Sequence, residues 1–255
     1  MPTRKRVREM LDLDIYSYDK EVADRSPPPT PVAVGYRKWR QAYAAMGASL
    51  CLAWLDDDDE AGRYLRRAAN HFYELFDIGT RHEDEAVRRQ GRVGLNTARE
   101  GLCSLALAGS PEQLQDVRTL LAGLNEKQSD DNPALRFFVC ALRDLLAGEE
   151  EESRRWVTTL RNQRRIGKRW IGFVQGAEAC LAIVERDTSA FAVALEGVLA
   201  NHRRLARGEL RRNPKGLRSL RGTALVALAH QHGMTVDLSI PNGEYIAQCF
   251  LAQAT

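Results

Sequence analysis

"GYRKWRQAYAAMGASLCLAWLDDDDEAGRYLRRAANHFYELF" (residues 35–76) holds two apolar periodicities separated by a run of carboxylates. In its first half Trp39, Tyr43, Met46, Leu50 and Trp54 recur at intervals of three and four, which places them on one face of a helix over residues 36–55. In its second half Tyr64, Leu65, Ala68, Phe72, Leu75 and Phe76 predict a second amphipathic helix over 59–77. The few residues between them can only turn the chain back, so the stretch reads as an antiparallel helical hairpin.

Working outward, the same periodicity predicts helices over 84–108, 111–124, 131–147, 151–164, 168–186, 188–207 and 216–232. β-branched residues hardly ever alternate with polar ones, so strands are not expected and the fold class is all-α. "LDDDDEAGRYL" (55–65) aligns with "LAGEEEESRRW" (146–156), and "VERDTSAFAVAL" (184–195) repeats the order of apolar helix end, acidic turn and new helix. The expected architecture is a stack of antiparallel helical hairpins, irregular and similar to a tetratricopeptide array, around a buried apolar C-terminal helix. Upstream, a basic helix is expected to about residue 13, followed by the proline-rich "SPPPTP" (26–31), which resists helix. The expected organisation is an N-terminal helix and linker over 1–34 and one helical domain over 35–255.

With 44% hydrophobic and 28% charged residues in 255, the chain can bury a substantial core without crosslinks. The basic first residues are not followed by the apolar run of a secretory signal, and no segment is apolar for the length of a membrane span, so the expected location is the cytoplasm. Cys51, Cys103, Cys140, Cys180 and Cys249 are scattered singly through apolar stretches, the pattern of reduced core thiols rather than of disulfides or zinc ligands.

The run Asp56, Asp57, Asp58, Asp59 and Glu60, and its counterpart Glu149, Glu150, Glu151 and Glu152, admit three readings. Carboxylates ahead of a helix cap its free N–H groups and complement its dipole, with Asp58 or Asp59 as the expected cap. One or two would suffice for that, because the surplus charges repel one another. A calcium loop needs alternating ligands, a turn glycine and a distal glutamate, and the run has no such order. The third reading is a solvated anionic ridge that meets and steers a cationic partner.

Residues 154–221 carry sixteen Lys/Arg against five Asp/Glu, and include "RNQRRIGKRW" (161–170) and "NHRRLARGELRRNPKGLRSLR" (201–221). Such density suggests phosphate contacts, but no recognition helix, stacking platform or glycine-rich phosphate loop accompanies it. A nucleic-acid or regulatory-partner binding module using residues 154–221 is therefore the alternative reading, with nucleic acid the less expected partner. His71, His82, His202, His230 and His232 form no metal or nucleophile-activating motif, so no enzyme, cofactor or metal site is expected.

One region is more specific. "FAVALEGVLANHRRLARGELRRNPKGLRSLRGTALVALAHQHGM" (191–234) sets Phe191, Leu195, Leu199 and His202 at helical spacing, then a basic connector, then an almost wholly apolar helix through Leu225 and Leu228 that ends at Gly233. The tail "VDLSIPNGEYIAQCFL" (236–251) adds Pro241 and Tyr245. This arrangement resembles the Immunity protein 49 family of bacterial polymorphic-toxin and type VI secretion systems, and departs from that family's tail motif in having Ala247 where the resemblance implies a proline. The resemblance implies an immunity protein that binds a cognate toxin, expected to be a nuclease effector, and inhibits it by protein–protein contact without chemistry. A nuclease cleft is basic, so the acidic residues 56–60 and 149–152 are the expected toxin contacts. Phe191, Leu195, His202, Leu225, Leu228, Gly233 and Tyr245 are the expected structural motif.

Overall fold

The computed structural model describes residues 2–24, 31–91, 93–125, 132–163 and 166–252. Among these residues there are twelve α-helices, a few short 3-10 turns and no strand. In chain order they are α1 (Arg4–Ala23), α2 (Pro31–Leu55), α3 (Asp58–Arg81), α4 (Glu85–Gly91), α5 (Leu95–Ala108), α6 (Pro111–Leu120), α7 (Pro133–Leu146), α8 (Glu150–Arg161), α9 (Ile171–Glu185), α10 (Thr188–Arg207), α11 (Leu220–Gln231) and α12 (Gln248–Leu251).

Helix starts follow local chemistry. Ser110 and Gln113 form a reciprocal capping box at α6, with Pro111 in its first turn. Asn132 caps α7 by accepting from the N–H groups of Ala134 and Leu135, and Asp187 caps α10 by accepting from Ala190. The single helix expected over 84–108 is two, because Gly94 is extended (φ −73°, ψ 163°) and α5 restarts after it.

The three acidic turns are one structural motif. Asp56, Gly148 and Arg186 each take a left-handed backbone conformation. The following residue then donates its N–H to a carbonyl five residues back: Asp57 to Leu52, Glu149 to Asp144 and Asp187 to Ala182, at 3.1, 2.8 and 2.9 Å. A left-handed residue with such a bond closes a helix, and the next helix begins one residue later. The repeat is thus real, but its register lies one residue further along than the charge alignment suggests, with Asp56 matching Gly148 rather than Ala147. In that register the buried residues coincide: Ala61, Leu65 and Ala68 with Ser153, Val157 and Leu160, and with Phe191, Leu195 and Val198.

Successive hairpins stack: α2 on α3, α3 on α5, α5 on α7, α7 on α8 and α9, and α9 on α10. Helix α11 enters the middle of the stack, touching α5, α9, α10 and α12, and buries every residue from Gly222 to Ala229. One continuous core runs from Tyr18 to Leu251. Cys51, Cys103, Cys140 and Cys180 are buried in the core elements, and none of the five cysteines forms a disulfide. No helix among the described residues is long and apolar enough to cross a membrane.

The N-terminal helix is longer than expected. It continues past residue 13 to Ala23, nearly three turns further at about 3.6 residues per turn, where Tyr18 packs edge to face on Tyr64, centroids 5.7 Å apart. Most of "SPPPTP" lies outside the described residues, and its last proline opens α2. Trp39 also departs from its expected place in the buried stripe: it is 38% exposed and lies between Tyr36 and Tyr43 at the stripe's edge.

Candidate functional site

The two acidic runs occupy equivalent positions and have different surroundings. Asp57 is the residue preceding α3 and Glu149 the one preceding α8, yet neither side chain makes a capping hydrogen bond. Asp58, Asp59 and Glu60, and Glu150 to Glu152, lie in the first helical turns, where they complement the dipole instead.

At the second run every carboxylate faces a cation. Glu149 pairs with Arg118 at 2.7 Å and Glu150 with Arg186 at 2.7 Å, while Glu151 and Glu152 approach Arg154 and Arg155 at 3.6 and 3.8 Å. At the first run Asp56 to Asp59 are all exposed. Asp56 has only a loose contact with Arg4, 3.9 Å, and Glu60 pairs with Arg63. Asp58 lies beside Cys249, where burial first and then this carboxylate raise the thiol to about 12. The side chains of Asp57 and Asp59 meet no cation among the described residues. The α2–α3 turn is therefore the uncompensated one.

The basic segment is engaged in part. Arg154 pairs with Glu185 at 2.8 Å, Arg161 with Glu178, and Arg186 with Glu150. Arg164 and Arg165 lie outside the described residues. Lys215 and Arg221 turn inward and help line a cleft.

That cleft, about 420 Å³, is bounded by α2, α5, the start of α9, the end of α10 and the start of α11. Glu100 on α5 is buried at its base and takes two contacts from Lys215 Nζ, 2.9 and 2.8 Å, and one from Arg99 at 2.8 Å. Burial works against its charge, but Arg99, Lys215 and Tyr43 together hold the carboxyl below its ordinary range. Arg221 lies over the rings of Phe138 and Phe173, 5.9 and 5.1 Å from their centroids. Arg99 covers Phe173 as well, at 5.4 Å. Two histidine and arginine nitrogens, His202 Nε2 and Arg221 Nε, are buried there without a hydrogen-bond partner. Periodicity missed this site because Arg99 and Glu100 sit inside an otherwise apolar helix. The charged pair in "AREGLCSLALA" (98–108) was the available signal.

The sequence model of the family described as Immunity protein 49 matches residues 56–241. The chain belongs to the Immunity protein 49 family. No curated protein and no solved structure matches it.

In this Immunity protein 49 chain the residues 191–234 and the tail form one packed unit. Phe191, Leu195 and His202 are buried along α10, and Leu225 and Leu228 within α11. Gly233 closes α11 in the left-handed conformation that glycine tolerates best (φ 77°). Tyr245 lies beyond the matched residues but returns to the same place: its ring meets that of His202, and its carbonyl accepts from Ser219 N at 2.7 Å. Ala247 N donates to Thr223 Oγ1 at 3.1 Å, fastening the tail to the first turn of α11. These residues are brought together; the acidic runs lie at turns elsewhere in the chain.

Proposed function

We propose that this immunity protein binds a cognate bacterial toxin domain, a nuclease effector, and neutralises it by occupying its basic cleft. The protein acts in the cytoplasm of the producing cell and turns over no substrate. Family membership supports the general role. The observation that carries the choice of surface is the α2–α3 turn, where four consecutive exposed aspartates lack close compensating cations. Concentrated uncompensated charge accelerates encounter with a surface of opposite sign. The Glu149 to Glu152 run contributes less, because each of its carboxylates already faces an arginine.

The test uses a cognate toxin domain, sought in the reading frames that neighbour the gene for this chain. Asp57→Asn, Asp58→Asn and Asp59→Asn together should slow association and flatten its dependence on salt, while the corresponding glutamine changes at 150–152 do so weakly. Unchanged association and unchanged protection of cells would overturn the assignment. A salt-sensitive shift of RNA or DNA by the purified protein would favour the nucleic-acid reading instead. Ion pairs already occupy Arg154, Arg155, Arg161 and Arg186, so that reading would fall to the exposed Arg207, Arg211 and Arg212.

A further inference from the structure

Among the residues lining the central cleft are four cations, Arg99, Arg204, Lys215 and Arg221, and two carboxylates, Glu100 and Glu209. Glu100 is consumed by Arg99 and Lys215. Arg204 donates to Asn201 Oδ1 at 3.1 Å at the rim. Arg221 is different: it makes no ion pair and no hydrogen bond with any described residue, and its Nε is enclosed. Burial, with Arg99 adding to it, lowers its affinity for a proton to about 10, which still leaves it charged at neutral pH. Arg221 is half-buried, so its guanidinium is only partly stripped of water; without an anion that still carries a cost, which the aromatic faces of Phe138 and Phe173 offset in part.

The second orphan, His202 Nε2, lines the same cleft. Burial and Arg221 press this imidazole down to about 4, so it is neutral and adds no competing positive charge. Around these groups Tyr43, Trp170 and Phe173 supply aromatic walls; Lys215 Nζ lies 4.3 Å from the Tyr43 centroid, and Arg99 and Arg221 lie over Phe173. The volume suits a small molecule rather than a single side chain. Convergent unsatisfied polar groups in an aromatic-walled concavity mark a ligand site.

We propose that this cleft binds a small organic anion, its carboxylate or phosphate seated on Arg221 and its flat apolar body lying against Trp170. The two Nη groups of a guanidinium match the oxygens of either head group. Lys215 and Arg99 add attraction without being displaced from Glu100. The site is independent of the toxin-binding surface at the α2–α3 turn, so neither reading depends on the other.

The experiment titrates the full chain, in low-chloride buffer, with benzoate, adenosine monophosphate and inorganic phosphate, following tryptophan fluorescence and heat. Benzoate and the nucleotide separate a carboxylate from a phosphate preference, and inorganic phosphate reports the head group without a body. At least one of the two organic probes should bind more tightly than inorganic phosphate. Its change in fluorescence should largely vanish in Trp170→Phe, and Arg221→Gln should weaken it by on the order of tenfold or more. Should Arg221→Gln fail to fold, Asn96→Asp, at an exposed position on the rim, serves as the second variant: its added carboxylate should weaken binding while leaving the melt unchanged. No binding of any probe at millimolar concentration would overturn the proposal. Binding equally strong in wild type, Arg221→Gln and Asn96→Asp would overturn it too.

Discussion

His202 on α10 and Tyr245 in the tail meet edge to face, ring centroids 4.8 Å apart and planes at 68°. The contact joins a helix of the stack to a segment that follows α11, so the imidazole is enclosed on the side where the tail returns. Its ordinary value is 6.5, and burial with Arg221 lowers it to about 4. As pH falls below about 6.5 the unfolded chain takes up a proton that the folded chain refuses until about 4. Stability present in full above 6.5 is therefore lost progressively down to 4. Urea melts at pH 7.5 and 5 should show a smaller acid loss in His202→Gln than in wild type.

Asp14 titrates in the opposite sense. Its carboxylate lies on the backbone of Gly47, where a β-carbon would collide with it, and its Oδ2 is buried without a partner. Burial raises its pKa from the ordinary 3.8 to about 7. The folded state keeps the proton while the unfolded chain releases it, so stability declines as pH rises from about 4 to 7 and is level beyond. Asp14→Asn should raise the melting midpoint at pH 8 and change little at pH 4. Equal gains at both pH values would contradict this account.

Arg143 and Asp144 are both almost wholly buried and share two hydrogen bonds of 2.8 Å. Trp156 Nε1 donates to the same carboxylate at 2.7 Å and Leu121 O receives Arg143 Nη1 at 3.1 Å. Removing one member of such a pair strands the other, so Asp144→Ala should cost about 3–5 kcal/mol in a denaturant melt. Trp156→Phe, which loses one hydrogen bond to a charged group, should cost about 1.5–3 kcal/mol.

The repeated turn makes a prediction about opposite signs. Gly148 has φ 78° and Asp56 φ 67° at matching positions. Gly148→Ala should destabilise by about 1–2 kcal/mol, because a β-carbon is disfavoured in the left-handed region. Asp56→Gly should stabilise by up to about 1 kcal/mol for the same reason, reduced by the greater freedom of glycine in the unfolded chain.

Much of the fold was legible because its helices carry strong one-sided patterns. The stripe Tyr64, Leu65, Ala68, Phe72 and Phe76 announced α3, and the buried residues of α10 followed from Phe191, Leu195 and Leu199. The turns were found by their charges, yet charge is the wrong ruler: the feature that recurs is the left-handed residue, which is Asp56, Gly148 and Arg186 in turn, three side chains with nothing in common. The second half of α1 was missed because Tyr18 is anchored by Tyr64, a contact across the chain that local periodicity does not register. The cleft escaped for the same reason. Glu100 is made tolerable in an apolar helix by Lys215, far along the sequence, and only the folded chain brings the two together.

Helix α11 fills the middle of the stack although it is among the last helices to leave the ribosome. A nascent chain that has produced α2 to α10 still exposes the apolar walls meant for Leu225 and Leu228, and no earlier segment can substitute. Completion of the core is thereby tied to synthesis of residues 220–231, and translation products that stop short should be cleared by proteases rather than persist as half-folded inhibitors.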